Sequence, residues 1–230
     1  MIFLRPRYTI EAGTFGMDAL NLIESAARTC YKSEGNPEQT ASFVKRVLDS
    51  QHESVIEHVG MTVRFIIDRG VSHELVRHRV ASFSQESTRY IDYMKKAKGG
   101  NLQFIIPPWV TEEFPVGEQV NFSELQAFWV QHEIKPSLAT QQWVSSMSLA
   151  EVGYREVRQQ GWSAQQARSI LPHSAKTEVV MTANYREMRH ILKLRTSKAA
   201  HPQIREVMIP LLEELKGRTP VLFDDIVVPL

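Results

Sequence analysis

In residues 61–68 the apolar Met61, Val63, Phe65 and Ile67 alternate against Thr62, Arg64 and Asp68, and Gly70 follows. A period of two with one apolar face is the pattern of a half-buried strand, so the chain must build a sheet and cover one side of it. Helical periodicity on the N-terminal side offers a cover. Leu20, Ile23, Ala26, Ala27, Cys30 and Tyr31 recur at helical spacing up to Gly35, and Phe43, Val44, Val47 and Leu48 form a second stripe. Asn36 is the expected cap of that second helix and Pro37 its first residue.

The remaining segments alternate in kind. Residues 1–10 read as an edge strand interrupted by Pro6, and Ser72 is the expected cap of a short helix carrying Glu74. The segment after it reads as a basic turn and a serine-rich loop. Ile91–Met94 and Leu102–Ile106 read as short strands around the basic turn 95–100, and 109–120 as a loop. From Ser123 to Gln160 the pattern is helical with a break at Pro136. Leu125, Phe128, Trp129, Ile134, Leu138, Trp143, Met147 and Val152 are its expected core positions. Ser163 and Gln166 have the spacing of a capping box, Thr177–Asn184 reads as a strand, and two helices follow, around Arg186–Arg195 and from Pro202 to just before Gly217.

Two hundred and thirty residues fit one domain, 1–230, with a substantial core. A formal net charge of +1 does not provide the basic excess of a general nucleic-acid binder, so any anion site must be local. Cys30 is the only cysteine, which excludes an intramolecular disulfide and a thiolate zinc cluster. It is read as core packing. The apolar N-terminal run is too short for a signal peptide or membrane span, and a soluble, cytoplasmic protein is expected.

No G-x-G-x-x-G or P-loop arrangement occurs among the eleven glycines, so a bound phosphate must be held by side chains. Residues 77–90, RHRVASFSQESTRY, carry three arginines, a histidine and four serine or threonine hydroxyls. Arginine meets a phosphate bidentately, and hydroxyls donate or accept as a ligand requires. The same composition also suits a solvated surface turn. The order of residues separates these readings: Arg77, His78, Arg79, Ser82, Ser87 and Arg89 fill each fixed place of a pattern that resembles the signature of the flavin-dependent thymidylate synthases (the ThyX family). His52-Glu53-Ser54-Val55-Ile56-Glu57-His58, Ala167-Arg168-Ser169-Ile170-Leu171-Pro172 and Asn184-Tyr185-Arg186 through His190 to Leu194-Arg195 are similar to further segments of that family.

The resemblance implies an α+β (mixed α/β) fold with a central, mostly antiparallel sheet flanked by helices, assembled as a homotetramer with FAD at subunit interfaces. It implies reductive methylation of dUMP to dTMP, with 5,10-methylenetetrahydrofolate as one-carbon donor, NADPH as reductant, tightly bound FAD, and no metal, nucleic-acid or membrane partner. Residue by residue, it implies that His52, Ser54, Glu57, Arg77, His78, Arg79, Glu86, Asn184, Arg186 and His190 meet FAD. It implies that Glu74, Arg77, Glu86, Ser87, Thr88, Arg89, Arg168 and Arg195 meet dUMP. Arg195, beside the uracil, is the expected catalytic residue, because a fixed guanidinium stabilises negative charge developing on the ring. Two positions depart from the family: Glu74 where some members have glutamine, and His201 where glutamine is common.

Two rivals stay open on sequence. A flavin-binding module without catalysis would keep Arg77–Arg79, although Arg168 and Arg195 would then have no purpose. A metal-dependent hydrolase would use His52, His58, His73 and His78, but His52 and His58 are six apart and His73 and His78 five, against the four that places two histidines on one helix face.

Overall fold

The computed structural model describes residues 1–30, 32–95 and 100–229. Seven strands and eight α-helices are found among them: β1 (Ile2–Leu4), β2 (Arg7–Gly13), α1 (Gly16–Thr29), α2 (Thr40–Asp49), β3 (Gly60–Asp68), α3 (Arg69–Leu75), β4 (Ala81–Gln85), β5 (Gln103–Ile105), β6 (Gln119–Asn121), α4 (Phe122–Gln131), α5 (Leu138–Gln159), α6 (Ala164–Ala167), β7 (Lys176–Asn184), α7 (Tyr185–Arg195) and α8 (Pro202–Arg218). The α+β class is as expected, and the strands divide between two sheets, in the orders β5-β1-β6 and β2-β3-β7-β4. The chain resolves into two compact units. One comprises Met1–Arg7, Ile66–Leu75 and Gln85–Val179; the other comprises Tyr8–Phe65, Val76–Ser84 and Val180–Leu230.

In the first unit β1 is parallel to β5 and antiparallel to β6. Phe3, Phe104, Val120, Leu125, Val144, Met147 and Tyr154 meet in its core, and the rings of Phe3 and Phe114 lie edge to face at 5.4 Å. Pro6 interrupts the first ten residues as expected. The strand before it is central rather than an edge, because β5 and β6 pair with it from far along the chain.

The second unit is built on helices whose stripes are buried: Ala19, Leu20, Ile23 and Ala27 of α1, and Ile204, Val207, Met208, Leu211, Leu212 and Leu215 of α8. Asn36 caps a 3-10 turn, Pro37–Gln39, that leads into α2, its side chain accepting from the Glu38 N–H at 3.1 Å. At the start of β3, Gly60 runs against the end of β7, where a Cβ would lie 2.7 Å from the Ala183 carbonyl oxygen. The neighbouring Val59 carbonyl accepts from the Tyr185 N–H at 2.9 Å, fixing where α7 begins. Gly60→Ala must push two backbones apart, and a destabilisation of about 2 kcal/mol in urea unfolding is expected.

Several sequence expectations are corrected. The serine-rich loop contains β4, and Ile91–Met94 forms turns instead of a strand, with the Asp92 carboxylate accepting from the Met94 N–H at 3.1 Å. Segment 109–120 holds part of a 3-10 helix, Pro108–Glu113, and most of β6. Ser72 lies inside α3, whose entrance is held by Asp68 accepting from the Val71 N–H at 2.7 Å. Gly217 belongs to the last turn of α8. Cys30 is exposed, because the buried stripe of α1 ends at Ala27 and residue 30 is already the C-cap. Leu138 and Val152 face solvent, on the side of α5 opposite Val144, Met147 and Tyr154. Tyr31 and most of the basic turn 95–100 lie outside the described residues.

Candidate functional site

β7 runs directly into α7, and Asn184 caps the helix by accepting from the Glu187 N–H at 2.9 Å. Because Tyr185, Met188, Arg189, Ile191 and Leu192 are the buried positions, the helix presents Arg186, Glu187, His190 and Arg195 on its remaining surface. After α3 the chain turns through 76–80, leaving Arg77 and Arg79 exposed and His78 buried.

His78 and Arg195 meet. The Arg195 Nε–H donates to His78 Nε2 at 3.1 Å, while His78 Nδ1 lies 3.4 Å from Glu187 Oε1 and the His190 ring stands edge to face at 5.8 Å. Guanidinium is a donor only, so Nε2 must be the bare nitrogen and Nδ1 carries the proton. Burial, and next the charges of Arg195 and His190, push the His78 pKa down to about 4. The unfolded chain therefore takes up a proton near pH 6.5 that the folded chain refuses until about pH 4. Stability present above pH 6.5 is lost as pH falls through that window, at up to about 1.4 kcal/mol per pH unit from this residue. In urea unfolding between pH 4 and 7, His78→Gln should show a shallower pH dependence than the wild type by about that slope.

A cavity of about 520 Å³ is lined by Glu53, Glu57, Asn184, Arg186, Glu187 and His190, with Val80, Arg189 and Lys193 completing it. Arg186 Nη1 donates to Glu57 at 2.6 Å, and Arg189 is committed to Asp225 through 2.6 and 2.7 Å bonds. A second cavity in the same unit, of about 580 Å³, is lined by His52, Ser54 and Arg186 together with Arg28, Phe43 and Arg46. Of the expected flavin residues, then, Glu57, Asn184, Arg186 and His190 share one cavity and His52, Ser54 and Arg186 share the other. Arg77 and Arg79 line neither. The donor set fits a phosphate-bearing, polar cofactor: exposed guanidinium, imidazole and ammonium groups stand beside amide and hydroxyl groups.

The nucleotide set falls largely in the other unit. Glu86 is held on both oxygens, by the Tyr93 hydroxyl at 2.7 Å and Lys176 Nζ at 2.6 Å, so a ligand reaching it must share an acceptor already in use. Burial, and next the charge of Glu86 and its hydrogen bond, raise the Tyr93 pKa, so the phenol stays a donor. Ser87 accepts from the Arg89 N–H at 3.4 Å, Thr88 is buried, and Arg89 donates to Gln165 of α6 at 3.0 Å. The chain from α6 enters a 3-10 turn that begins with Arg168, which is exposed. Arg89 and the segment bearing Arg168 are thereby brought together, with Ser163 and Gln166 forming the expected capping box before them. Glu74 lies partly buried in α3.

Sequence reasoning missed Glu187, Lys176 and Tyr93. Glu187 reads as an ordinary acid in a helix's first turn, and Lys176 meets Glu86 across 90 positions of chain, a pairing that no local pattern announces. Among the described residues no three histidine, cysteine or carboxylate side chains gather in a metal-binding group.

The family model described as thymidylate synthase complementing protein matches residues 15–221. A flavin-dependent thymidylate synthase of Corynebacterium aurimucosum is 32% identical over 227 residues, covering 95% of this chain and 83% of that one. Another, of Geobacter sulfurreducens, is 31% identical over 212 residues, covering 88% and 80%. The structure of a UMP/dUMP methylase, PolB from Streptomyces cacaoi, bound with 5-Br UMP, matches with a TM-score of 0.70 at 20% identity, covering 96% of this chain and 94% of that one. That likeness establishes the fold. The family match and the identities above 30% over most of both chains establish more: the chain belongs to the thymidylate synthase complementing family, that of the flavin-dependent thymidylate synthases.

Proposed function

We propose that this chain methylates dUMP reductively to dTMP, taking the one-carbon unit from 5,10-methylenetetrahydrofolate and releasing tetrahydrofolate. FAD, held tightly by the residues named below, would supply the redox chemistry, with NADPH as the source of the reducing equivalents. The observation that carries the reading is the 3.1 Å contact between His78 and Arg195, two residues separated by 117 positions and assigned independently to flavin and uracil by their motifs.

The protein's own part is binding and electrostatics. Arg89 and Arg168 hold the nucleotide phosphate, with Glu74, Arg77, Glu86, Ser87 and Thr88 around the nucleoside. His52, Ser54, Glu57, Arg77, His78, Arg79, Glu86, Asn184, Arg186 and His190 hold the flavin. Arg195 is the catalytic residue: anchored through Nε, its guanidinium stabilises charge on the uracil as carbon 5 bonds to the one-carbon unit and gives up its proton. No enzyme nucleophile is needed. Cys30 lies at the end of α1, away in sequence from every signature element, and Ser87 is engaged by a backbone N–H rather than by a base. The assembly is a homotetramer of single-domain chains, 1–230, with FAD at subunit interfaces, working in the cytoplasm without nucleic-acid or membrane partners. No helix among the described residues is long and apolar enough to cross a membrane.

The test is a visible spectrum of the purified protein, anaerobic addition of NADPH, and a dTMP assay with dUMP and methylenetetrahydrofolate. A flavin band that bleaches, followed by dTMP, is the expected result. Protein that stays colourless after FAD is supplied and forms no dTMP overturns the reading.

A further inference from the structure

We infer that Glu187 is a positioning residue for Arg195: its carboxylate takes the Nδ1–H of His78 and holds the imidazole in the tautomer whose Nε2 accepts from Arg195. The geometry is a three-member line, from Glu187 Oε1 across 3.4 Å to His78 Nδ1, then from His78 Nε2 across 3.1 Å to Arg195 Nε. The middle member and the acid at its end are both sheltered, with 5% of the His78 side chain and 11% of the Glu187 side chain exposed. A sheltered neutral imidazole has one proton to place, and an acceptor on one side with a donor on the other leaves a single satisfactory arrangement. The line is also fixed at its far end, because Asn184 accepts from the backbone N–H of Glu187 at 2.9 Å. His190, edge to face at 5.8 Å, packs against the ring.

Glu187 has a second, ordinary role as an acid in the first turn of α7, where negative charge offsets the helix dipole. Two variants separate the roles. Glu187→Gln and Glu187→Leu both lose the charge, but only glutamine keeps an oxygen for the Nδ1–H.

This inference rests on the proposed synthase reading and is tested on flavin-replete protein. With saturating methylenetetrahydrofolate and NADPH, Glu187→Leu is expected to lose about tenfold in kcat for dTMP formation while KM for dUMP stays within about twofold. Glu187→Gln should stay within about twofold of wild type in both. If Glu187→Leu does not accumulate as folded protein, Glu187→Ala replaces it with the same expectation. Independently of activity, protein labelled with ¹⁵N at histidine reports the tautomer: His78 protonated at Nδ1 in wild type and Glu187→Gln, and a mixture in the variant without an acceptor.

Wild-type kcat in the Leu variant overturns the inference, as does a Gln variant as slow as the Leu variant. So does a ring that stays wholly Nδ1-protonated without Glu187, since Arg195 alone then sets the tautomer. A wild-type enzyme that forms no dTMP overturns the synthase reading instead, and the histidine spectra still decide the role of Glu187.

Discussion

Arg195→Ala will lower dTMP formation by about two to three orders of magnitude while the purified protein keeps its flavin. The magnitude follows from the role proposed for Arg195, a permanent cation beside the group where negative charge develops; losing such a group typically costs about 10²- to 10³-fold in turnover. Flavin retention should survive because Arg195 is absent from the lining of the 520 and 580 Å³ cavities, whereas Glu57, Asn184, Arg186 and His190, proposed to hold the flavin, remain in place. Folding should survive as well. Arg195 is the last residue of α7, and alanine is the best helix former for that position. The measurement is kcat in the dTMP assay beside the absorbance ratio of flavin to protein. Full turnover in this variant would move the catalytic role elsewhere.

Arg189→Ala will have the largest effect on stability, about 3 kcal/mol. Arg189 is 3% exposed, donates from Nη1 to the Leu222 carbonyl and to Asp225 Oδ1, and from Nη2 to Asp225 Oδ2. It thereby ties the segment after α8 to α7. Removing it strands a buried carbonyl, leaves Asp225 without its bidentate partner and opens a cavity, and breaking a buried pair from one side typically costs about 3–5 kcal/mol. The lower end applies because half of the Asp225 side chain remains in water. Leu222 and Phe223 are fully buried, and Phe223 meets Tyr185 edge to face at 5.3 Å, so release of this segment loosens the base of α7 as well. Urea unfolding of the wild type, Arg189→Ala and Asp225→Asn should show the arginine variant as much the weaker. Equal loss in the two variants would mean that the carbonyl bond contributes little.

What was legible in the sequence divides along a physical line. β3 shows because Met61, Val63, Phe65 and Ile67 recur at every second residue and all four are buried, although Ile66 interrupts the polar face and Asp68 at the end is buried as well. Ser163 and Gln166 are legible because a capping box is satisfied within three residues of chain, whereas Asn36 and Pro37 open a 3-10 turn and α2 itself begins only at Thr40. β4 hides because Ala81–Gln85 alternates only between exposed and half-buried positions, and β6 because Val120 is its one buried residue, so its partner β1 makes it a strand. The site follows the same rule. Arg77–Arg79, Arg89, Arg168 and Arg195 stand out because a motif spells them in order, and Asn184 because it also opens a helix. Glu187 and Lys176 take their meaning from His78 and Glu86, partners that only the folded chain supplies.

The central claim is that flavin carries the electrons and the folate gives up only its one-carbon unit. The folate product of an anaerobic reaction with dUMP, methylenetetrahydrofolate and NADPH tests it most directly. Tetrahydrofolate formed in step with dTMP, and only by flavin-loaded protein, is the result expected. Dihydrofolate formed one for one with dTMP would mean that the folate itself had been oxidised, and would contradict the account.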